Sequence, residues 1–522
     1  MRPMASKTKL YSTPSNFELQ QQSAPSQTQT LSGTLRWQLR KTHGLPTSRR
    51  NSRNDQGTQI EDYDVVIVGG GMVGAAVGCG LASSAMTRGL RVAMIDSSPK
   101  QPTFRKHDPN AIPDQRVSAI TPATVRFFQD VGAWEGVLSA RPTPFDSMQV
   151  WDYGGLGFTR YKAEDVGEPL LGYVVENNVL LAALHSCLQS VGSIETMNPA
   201  QVKSVMFPSS SNLSPIQTKE AAESNGKQDW AQIELADGRH LRTRLVVGAD
   251  GGKSAVRSMA GFQTRGWQYK QTAVICTVKV EWEHTTAWQR FLPTGPFALL
   301  PMGGTFSNIV WSTSPEIAKE LKSMPSVDFV VDANRALLED YGSQPYSGLA
   351  ELLSSGLGKQ LFGSELGTQL LGAFTPSSAE QFQVPPRVID CVTERLSFPL
   401  SLLHATKYVN HRVALVGDAA HTVHPLAGQG VNLGFGDALA LVNTLHRGVE
   451  GGFDIGEERV LKEYENERKK TNMTMMALLD GFQKLYATDF GPLNIARAAG
   501  FNTVNLLGPL KKQIITYAMG VH

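Results

Sequence analysis

Short apolar runs alternate with helical patterns along the chain from residue 63 onward. Residues 63–68 are apolar and β-branched and end at a glycine, which predicts a buried strand. Residues 72–88 are mostly small and predict a helix, and residues 90–95 predict a second strand that ends at Asp96. This part of the chain is therefore expected to form a strand, a tight turn, a helix and a strand.

The same patterns predict the later elements. Helical spacing marks residues 122–136 and 178–191, most of 315–372, and nearly all of the chain after Gly428. Short buried strands are predicted at 233–235, 245–247 and 413–416, and antiparallel strands at 273–282, 288–292, 298–302 and 307–311. Polar loops are predicted at 97–114 and 209–228.

Charge divides the chain into a basic leader and an acidic body. The whole chain of 522 residues has a net charge of +2, which argues against a nucleic-acid-binding protein, because those carry a basic field. Of the 49 basic and 47 acidic residues, nine basic and one acidic residue lie within residues 1–54, so the remaining body has a net charge of −6. The leader is rich in Arg and Ser and too poor in apolar residues to fold alone, which is typical of an organelle transit peptide. The alternative is a disordered tail with no targeting role.

The cysteines and apolar runs argue against a cysteine-stabilised protein and against a membrane-spanning one. The four cysteines are widely spaced and form no CxxC pair, so neither a disulfide framework nor a cysteine zinc site is expected. The uncharged run 65–87 is long enough to span a bilayer, but its six glycines fit a buried strand, turn and helix better. We expect a soluble or peripheral protein.

Gly69, Gly71 and Gly74 form a GxGxxG pattern between the first predicted strand and helix. In this setting the first glycine makes the turn, the second lets the backbone approach a pyrophosphate, and the third lets helix and strand pack closely. Asp96 follows Gly74 by 22 residues, where a carboxylate accepts hydrogen bonds from the ribose of an adenosine. These residues predict a dinucleotide site, and the alternative is a glycine-rich turn in the core.

Two further motifs follow predicted strands. Residues 247–257 (VGADGGKSAVR) contain the Asp-Gly pair 250–251, which is also common in ordinary turns. Residues 416–432 (VGDAAHTVHPLAGQGVN) place Asp418 at a strand end and Gly428 at a helix start, where N–H groups stabilise negative charge. His421 and His424 have the spacing of a metal pair, but only Asp418 accompanies them, so we expect no metal.

The ordered set GxGxxG, GADGxxSxVR and GDAAHxxxPxxGQGxN resembles the single-component aromatic flavin monooxygenases of the para-hydroxybenzoate hydroxylase fold, over about residues 62–480. Residues 114–120 (DQRVSAI), the VVEN segment and HPLAGQGVNLGFGD resemble the ubiquinone-biosynthesis hydroxylases more closely. With the transit-like leader, the chain is most similar to the mitochondrial branch of that group.

The resemblance implies an α/β fold with a Rossmann-like FAD-binding domain, an interleaved antiparallel-sheet substrate domain and a helical C-terminal region. The corresponding residues are 1–54 for the disordered transit-like leader, 62–135, 178–260 and 400–445 for the FAD-binding domain, 136–177 and 261–399 for the substrate-binding domain, and 446–522 for the C-terminal helices. The implied FAD-binding residues are Gly69, Gly71, Gly74, Asp96, Arg116, Asp250, Gly251, Asp418, Ala419, Pro425, Gly428, Gly430 and Asn432. The flavin carries the chemistry, so no catalytic side chain is implied.

The resemblance also implies the reaction and its setting. One oxygen of O2 is inserted at ring position C5 of a polyprenyl hydroxybenzoate-type precursor of ubiquinone, through a flavin C4a-hydroperoxide. The implied electron source is ferredoxin with ferredoxin reductase, or NAD(P)H. The implied location is the matrix face of the inner mitochondrial membrane, in peripheral contact with it and in a complex with other ubiquinone-biosynthesis proteins.

Two segments each fit more than one role. Residues 272–313 are expected to form the apolar wall of a channel for the prenyl tail, with ordinary sheet core as the alternative for any one residue. Residues 485–517 are partly amphipathic, which fits a helix on a membrane, on a partner subunit or closing the FAD-binding domain.

Two other functions are compatible with a dinucleotide-binding fold that handles prenyl groups. The first is another FAD enzyme of the same fold that acts on prenyl lipids, such as a reductase, an epoxidase or a halogenase, although the halogenase motif WxWxIP is absent from the sequence. The second is a non-enzymatic prenyl-cargo carrier, similar to Rab escort and GDP-dissociation inhibitor proteins. The intact GDAAHTVHPLAGQG segment argues against a carrier, because a carrier has no need to hold a flavin ring.

Overall fold

The computed structural model describes residues 51–53, 59–99, 111–153, 158–208, 229–339, 382–424, 428–487 and 508–520. Several predictions lie outside these residues: most of the leader, the polar loop 209–228, the helical stretch beyond residue 339, and Pro425. The strand Asn51–Arg53 pairs with residues 59–61, so the last residues of the predicted leader join the first sheet.

A mostly parallel sheet, the first sheet, forms one half of the core. Its parallel strands lie in the order Ile194–Met197, Val92–Ile95, Gln59–Val68, His240–Gly248, Val413–Leu415. Antiparallel strands extend it at Asn51–Arg53, Val202–Met206, Ala231–Leu235 and Val409–Asn410. The central strands are apolar without alternation, because helices cover both faces of such a sheet.

Helices Met72–Ser83, Asn177–Val191 and Gln429–Glu450 pack around this sheet. The first and third approach each other closely, since a Cβ on Gly434 would lie 2.6 Å from the Cγ2 of Val73. The predicted helix 72–88 ends five residues early. The hydroxyls of Ser83 and Thr87 donate to carbonyls of its last turns, which offers the backbone an alternative to helix.

The predicted helix 122–136 is two helices, Pro122–Asp130 and Trp134–Leu138. Gly132 lies between them with φ +77°, a left-handed conformation that ends the first helix.

A second large sheet is antiparallel except at one pairing, where Thr286–Leu292 runs parallel to Ser147–Asp152. Its other strands are Phe158–Lys162, Thr264–Val280, Gly295–Pro301, Phe306–Thr313, Val388–Cys391, Leu396–Ala405 and His421–Thr422. The four predicted strands are present, but the first begins at Thr264 and not at 273. Its exposed start is held by pairing with Leu396–Ala405, a long-range contact that a local pattern does not reveal. A small sheet contains Val117–Ile120, Thr143–Phe145 and Gly172–Glu176.

The second sheet has its own core. Helices Pro315–Ser323 and Ser326–Leu338 cover it, and Phe329 of the second helix packs against Trp311. The strands of the two large sheets are interleaved along the sequence. The α/β architecture is therefore the predicted one, and the exact domain boundaries stay a prediction.

The described C-terminal helices are Glu458–Ala487 and Gly508–Met519. In the second, Lys511 lies 2.9 Å from Asp165, and Ile515 and Met519 pack against Ala163 of the one-turn helix Ala163–Val166. Tyr517 of the same helix packs against a cluster that contains Leu433 of helix Gln429–Glu450. The helix therefore contacts both parts of the chain, and its role stays a prediction. Within the described ranges, no helix combines the length and apolarity needed to cross a bilayer.

Candidate active site

The three sequence motifs meet at one edge of the first sheet. The N–H of Gly69 donates to the carbonyl of Ile95 at 2.8 Å, and the N–H of Ala249 donates to that of Val68 at 2.8 Å. The N–H of Val416 donates to the carbonyl of Gly248 at 3.0 Å. The motifs thus follow the carboxyl ends of adjoining parallel strands, where open α/β sheets bind their ligands.

The glycines of the first motif have different roles. Gly69 has φ +108°, and a Cβ there would lie 2.4 Å from the carbonyl oxygen of Ala249. A Cβ on Gly74 would lie 1.9 Å from the carbonyl oxygen of Gly69, so helix and strand pack too closely for a side chain. A Cβ on Gly71 would meet nothing within 4 Å, and Gly71 is exposed. The open backbone at this helix start fits a pyrophosphate.

Asp96 and His185 hold the same turn. The Asp96 carboxylate accepts from the N–H of Gly70 at 2.5 Å and from the N–H of Ser98 at 2.6 Å. The buried Nε2 of His185 lies 2.8 Å from the carbonyl oxygen of Gly70. Sequence reasoning missed His185, because a histidine within an amphipathic helix has no motif that marks it.

Asp250 has one satisfied and one unsatisfied carboxylate oxygen. Its Oδ2 accepts from the N–H groups of Ala255 at 2.7 Å and Val256 at 3.1 Å, which caps helix Ala255–Met259. Its Oδ1 is buried and has no hydrogen-bond partner among the described residues. A buried acceptor in this state fits a ligand hydroxyl or N–H group. Gly251 follows in a left-handed conformation, φ +79°.

Arg257 connects the second motif to the third. Its guanidinium donates to the carbonyl of Gly252 at 2.7 Å and to the carbonyl of Ala419 at 2.9 Å. Sequence reasoning included Arg257 in the motif but gave it no role, since the partner lies 162 residues away.

Asp418 lies in the one-turn helix Gly417–Ala419, the Asp418 turn, at the edge of the sheet. Asp418 is exposed to solvent. The surrounding protein nevertheless desolvates its carboxylate and raises its pKa, and this effect outweighs the nearby His421, which lowers the pKa. The exposed carboxylate at a strand end fits a polyol chain.

A fully buried carboxylate, Asp437, holds the Asp418 turn in place. It accepts from the N–H of Gly417 at 3.0 Å, from Arg468 at 2.8 Å and from Asn472 at 3.0 Å, and it pairs with His421. Burial alone raises its pKa, but His421 and Arg468 outweigh this and hold the pKa well below the usual range. Asp437 is therefore an anion, as four donors require.

The third motif ends at the start of helix Gln429–Glu450. Gly428 precedes it with φ +62°, and Gly430 lies half-buried in its first turn. The amide of Asn432 donates to the carbonyl of Ala119 at 2.8 Å and accepts from the hydroxyl of Thr124 at 2.8 Å. Asn432 thus holds the small sheet against the helix start, and its contact with FAD stays a prediction.

A cavity of about 530 Å³ lies beside Gly428. The second sheet supplies most of its lining. Ten of the lining residues lie between 275 and 312, within the stretch expected to line a channel. Arg116 and Lys322 are the charged residues of its lining, and both are exposed. Asn308 is fully buried, with its Nδ2 3.0 Å from the carbonyl of Gln115 and its Oδ1 without a partner among the described residues. The lining is thus mostly apolar, with two charged side chains, and it contains this unpartnered acceptor.

The two histidines considered as metal ligands have protein partners. His421 pairs with Asp437, and the Nε2 of His424 lies 3.3 Å from the Oε1 of Gln271. Burial lowers the pKa of His424 to about 4. Across the described ranges, no three His, Cys, Asp or Glu side chains are grouped to hold a metal ion.

The chain is similar in sequence to known proteins. Residues 62–344 and 383–478 match the family described as FAD binding domain. The chain is 40% identical over 461 residues to the mitochondrial ubiquinone biosynthesis monooxygenase COQ6 of Xenopus tropicalis, which covers 87% of this chain and 93% of that protein. It is 36% identical to the Homo sapiens protein of the same name, covering 87% and 92%.

Solved structures share the fold. The p-nitrophenol 4-monooxygenase PnpA from Pseudomonas putida superimposes with a TM-score of 0.60 at 17% identity, over 87% of this chain and 97% of that one. P. aeruginosa PqsL in complex with 2-aminobenzoylacetate gives a TM-score of 0.59 at 20% identity, over 84% and 99%.

Proposed function

The chain belongs to the FAD-binding monooxygenase family that includes the COQ6 proteins, and from this premise we propose that it is a ring hydroxylase of mitochondrial ubiquinone biosynthesis. The position of Gly428 carries the proposal. This residue directly precedes helix Gln429–Glu450 of the third motif and also lines the cavity. A flavin ring over this turn and a substrate in the cavity are thereby adjacent.

The finer proposal is the reaction itself. One oxygen of O2 enters ring position C5 of a polyprenyl hydroxybenzoate-type precursor, and the bound FAD supplies this chemistry through a C4a-hydroperoxide. The support is the resemblance of the three motifs to those of the family.

The residues of the sheet edge hold the cofactor. The open turn at Gly71 receives the pyrophosphate, and the unsatisfied Oδ1 of Asp250 and the exposed carboxylate of Asp418 accept from its hydroxyl or N–H groups. N–H groups at Gly428 and Gly430 offer their positive end to a ring that becomes negative on reduction. Asp96 and Asn432 also fix these turns through protein contacts. Contacts of FAD with these two residues, and with Arg116, Gly251, Ala419 and Pro425, belong to the proposal.

The cavity holds the aromatic substrate. Its apolar walls from the second sheet exclude water, which protects reactive species and strengthens polar contacts. The Oδ1 of Asn308 accepts from the ring hydroxyl of the substrate, and Arg116 and Lys322 favour a carboxylate at the exposed rim. A volume of about 530 Å³ accommodates a ring and part of a prenyl chain.

The setting is part of the proposal. The Arg- and Ser-rich leader and the names of the relatives support a mitochondrial protein. We extend this to the matrix face of the inner membrane, to peripheral membrane contact and to a complex with other ubiquinone-biosynthesis proteins. Electrons come from ferredoxin and its reductase or from NAD(P)H.

The absorbance spectrum of the purified protein tests the proposal first. We expect a flavin spectrum with about one FAD per chain, released by acid without a covalent bond. Absence of flavin even after reconstitution contradicts a hydroxylase and favours a prenyl-cargo carrier. A flavin protein that oxidises or reduces only the prenyl chain is the other FAD enzyme considered above.

A further inference from the structure

A groove lined by lysines lies between helix Glu458–Ala487 and residues 406–407. We call it the lysine groove. Its charged residues are Lys407, Lys462, Lys469 and Lys470 against Glu465 alone. None of its lining residues belongs to the cavity that receives the substrate.

Most of this positive charge is not neutralised by neighbouring carboxylates. Lys462 pairs with Glu465 and, at 3.7 Å, with Glu458. Lys469 instead donates to the carbonyl of Thr406 at 2.5 Å, which leaves its charge in place. Lys407 and Lys470 are exposed. The groove therefore presents positive charge on a body whose net charge is −6. An acidic macromolecule is repelled by the body as a whole and steered to this groove.

The groove shares its helix with the cofactor site. Glu465 accepts from the N–H of Tyr408 at 2.9 Å at the groove floor. One and two turns further along, Arg468 and Asn472 bind Asp437, which holds the Asp418 turn. A partner bound in the groove thus lies against the helix that supports the cofactor site.

We propose that the lysine groove is the docking site for the acidic face of a protein that delivers electrons to the flavin. The inference rests on the proposed function. In each turnover one atom of O2 enters the ring and the other leaves as water, which consumes two electrons and two protons. A one-electron carrier supplies them in two successive transfers.

An acidic protein fits the groove better than a membrane does. A flat anionic surface would also meet Glu467, which is exposed on the same helix and repels it. Met473 is the exposed large apolar side chain of the lining, so there is little apolar surface to insert into lipid.

Charge reversal in the FAD-loaded full-length chain tests the inference. The variant is Lys407→Glu with Lys470→Glu, and the matched control is Arg88→Glu with Lys512→Glu, which changes the net charge equally at exposed positions elsewhere. The probe is a [2Fe–2S] ferredoxin kept reduced by its reductase, and the readout is the second-order rate of flavin reduction. In the groove variant we expect this rate to fall at least about tenfold and to depend much less on salt concentration. In the control variant we expect a far smaller change in both.

Two controls separate failure of the inference from failure of the proposed function. Reduction by dithionite and hydroxylation after photoreduction need no partner protein, so both are expected to be unchanged in the groove variant. Equal ferredoxin rates in the two double variants overturn the inference, as does a wild-type flavin reduced by NADPH and not by ferredoxin. Loss of binding to vesicles of phosphatidylcholine with about 20% phosphatidylserine, with ferredoxin rates unchanged, overturns it in favour of membrane docking. A wild-type chain that fails to hydroxylate after photoreduction instead contradicts the proposed function.

Discussion

The Nε2 of His421 lies 2.5 Å from the Oδ2 of Asp437, and both side chains are buried. The same carboxylate accepts from the N–H of Gly417, so the pair holds the backbone of the Asp418 turn. The helix that carries Asp437 begins at Gln429, directly after Gly428, which lines the cavity. One buried anion therefore ties the two parts of the third motif together.

Replacement of Asp437 by Asn tests this link. Asn removes the charge that pairs with His421 and Arg468, and breaking a buried pair costs about 3–5 kcal/mol. We expect the free energy of unfolding to fall by roughly this amount. The affinity for FAD is expected to fall at least about tenfold, because the Asn amide has one acceptor oxygen where the carboxylate has two. Either Gly417 and His421 or Arg468 and Asn472 then face an NH2 group, which disturbs the Asp418 turn. Chemical denaturation and FAD titration measure the two effects.

Asp454→Asn is the matched control for Asp437. Asp454 pairs with Arg412 and Arg244 away from the sheet edge, and its pKa is also held low by them despite burial. This control is expected to lose stability and keep its affinity for FAD. Equal FAD affinities in the two variants contradict the role given to Asp437.

Two buried histidines make the fold sensitive to acid. Burial lowers the pKa of His284 and His424 from 6.5 to about 4. Between pH 6.5 and pH 4 these histidines are protonated in the unfolded chain and neutral in the folded chain. Their full contribution to the free energy of unfolding is therefore present above pH 6.5 and is lost as the pH falls toward 4. Each histidine contributes up to roughly 3 kcal/mol to this loss.

Unfolding measured across this pH range in the wild type and in the His284→Gln, His424→Gln double variant checks the effect. We expect a shallower dependence on pH in the variant. An unchanged slope shows that the two histidines take up protons in the folded chain as readily as in the unfolded one.

The glycines of the first motif predict opposite outcomes for two similar substitutions. Gly71→Ala adds a Cβ that meets no atom within 4 Å, so the protein is expected to fold normally and to lose FAD affinity at least tenfold. Gly74→Ala places a Cβ 1.9 Å from the carbonyl oxygen of Gly69 and is expected to cost at least about 1–3 kcal/mol of stability. Thermal unfolding of both apoproteins and FAD titration distinguish them. Normal FAD affinity in Gly71→Ala contradicts a pyrophosphate at this turn.

Asn308 is expected to distinguish substrates by their ring hydroxyl. In Asn308→Leu the unsatisfied acceptor is removed, so the preference for a phenol over its methyl ether is expected to fall about 10-fold or more, with FAD content unchanged. Affinities of unreactive analogues, measured from the perturbed flavin spectrum, give this ratio. Ser312→Ala, on the same strand and also in the cavity lining, is the control and is expected to keep the preference. An equal loss of affinity for both analogues in Asn308→Leu shows that Asn308 only supports the wall.

The sheet edge was predictable from the sequence because each motif directly follows an apolar run. A short buried strand has a local signature, and a glycine or aspartate after it marks the carboxyl end. The positions of Gly69, Asp96, Asp250 and Asp418 at one edge follow from this alone. The early end of helix Met72–Ser83 did not, because side-chain hydroxyls compete there with an otherwise helical pattern.

The side chains that hold these turns were not predictable. His185, Arg257 and Asp437 act on backbone groups supplied by other elements, from Gly70 to Ala419. Their partners are fixed by tertiary packing, and a single sequence contains no sign of it. The same holds for Asn308, whose unsatisfied oxygen is apparent only once the sheet and its neighbours are assembled.

Labelled O2 tests the central claim most directly. The FAD-loaded protein is photoreduced in the presence of a 3-prenyl-4-hydroxybenzoate and then mixed with isotopically labelled O2, which avoids any assumption about the electron donor. The account predicts a product with one labelled oxygen at C5 of the ring, together with labelled water. Hydrogen peroxide with unchanged substrate, or a labelled oxygen on the prenyl chain, contradicts it.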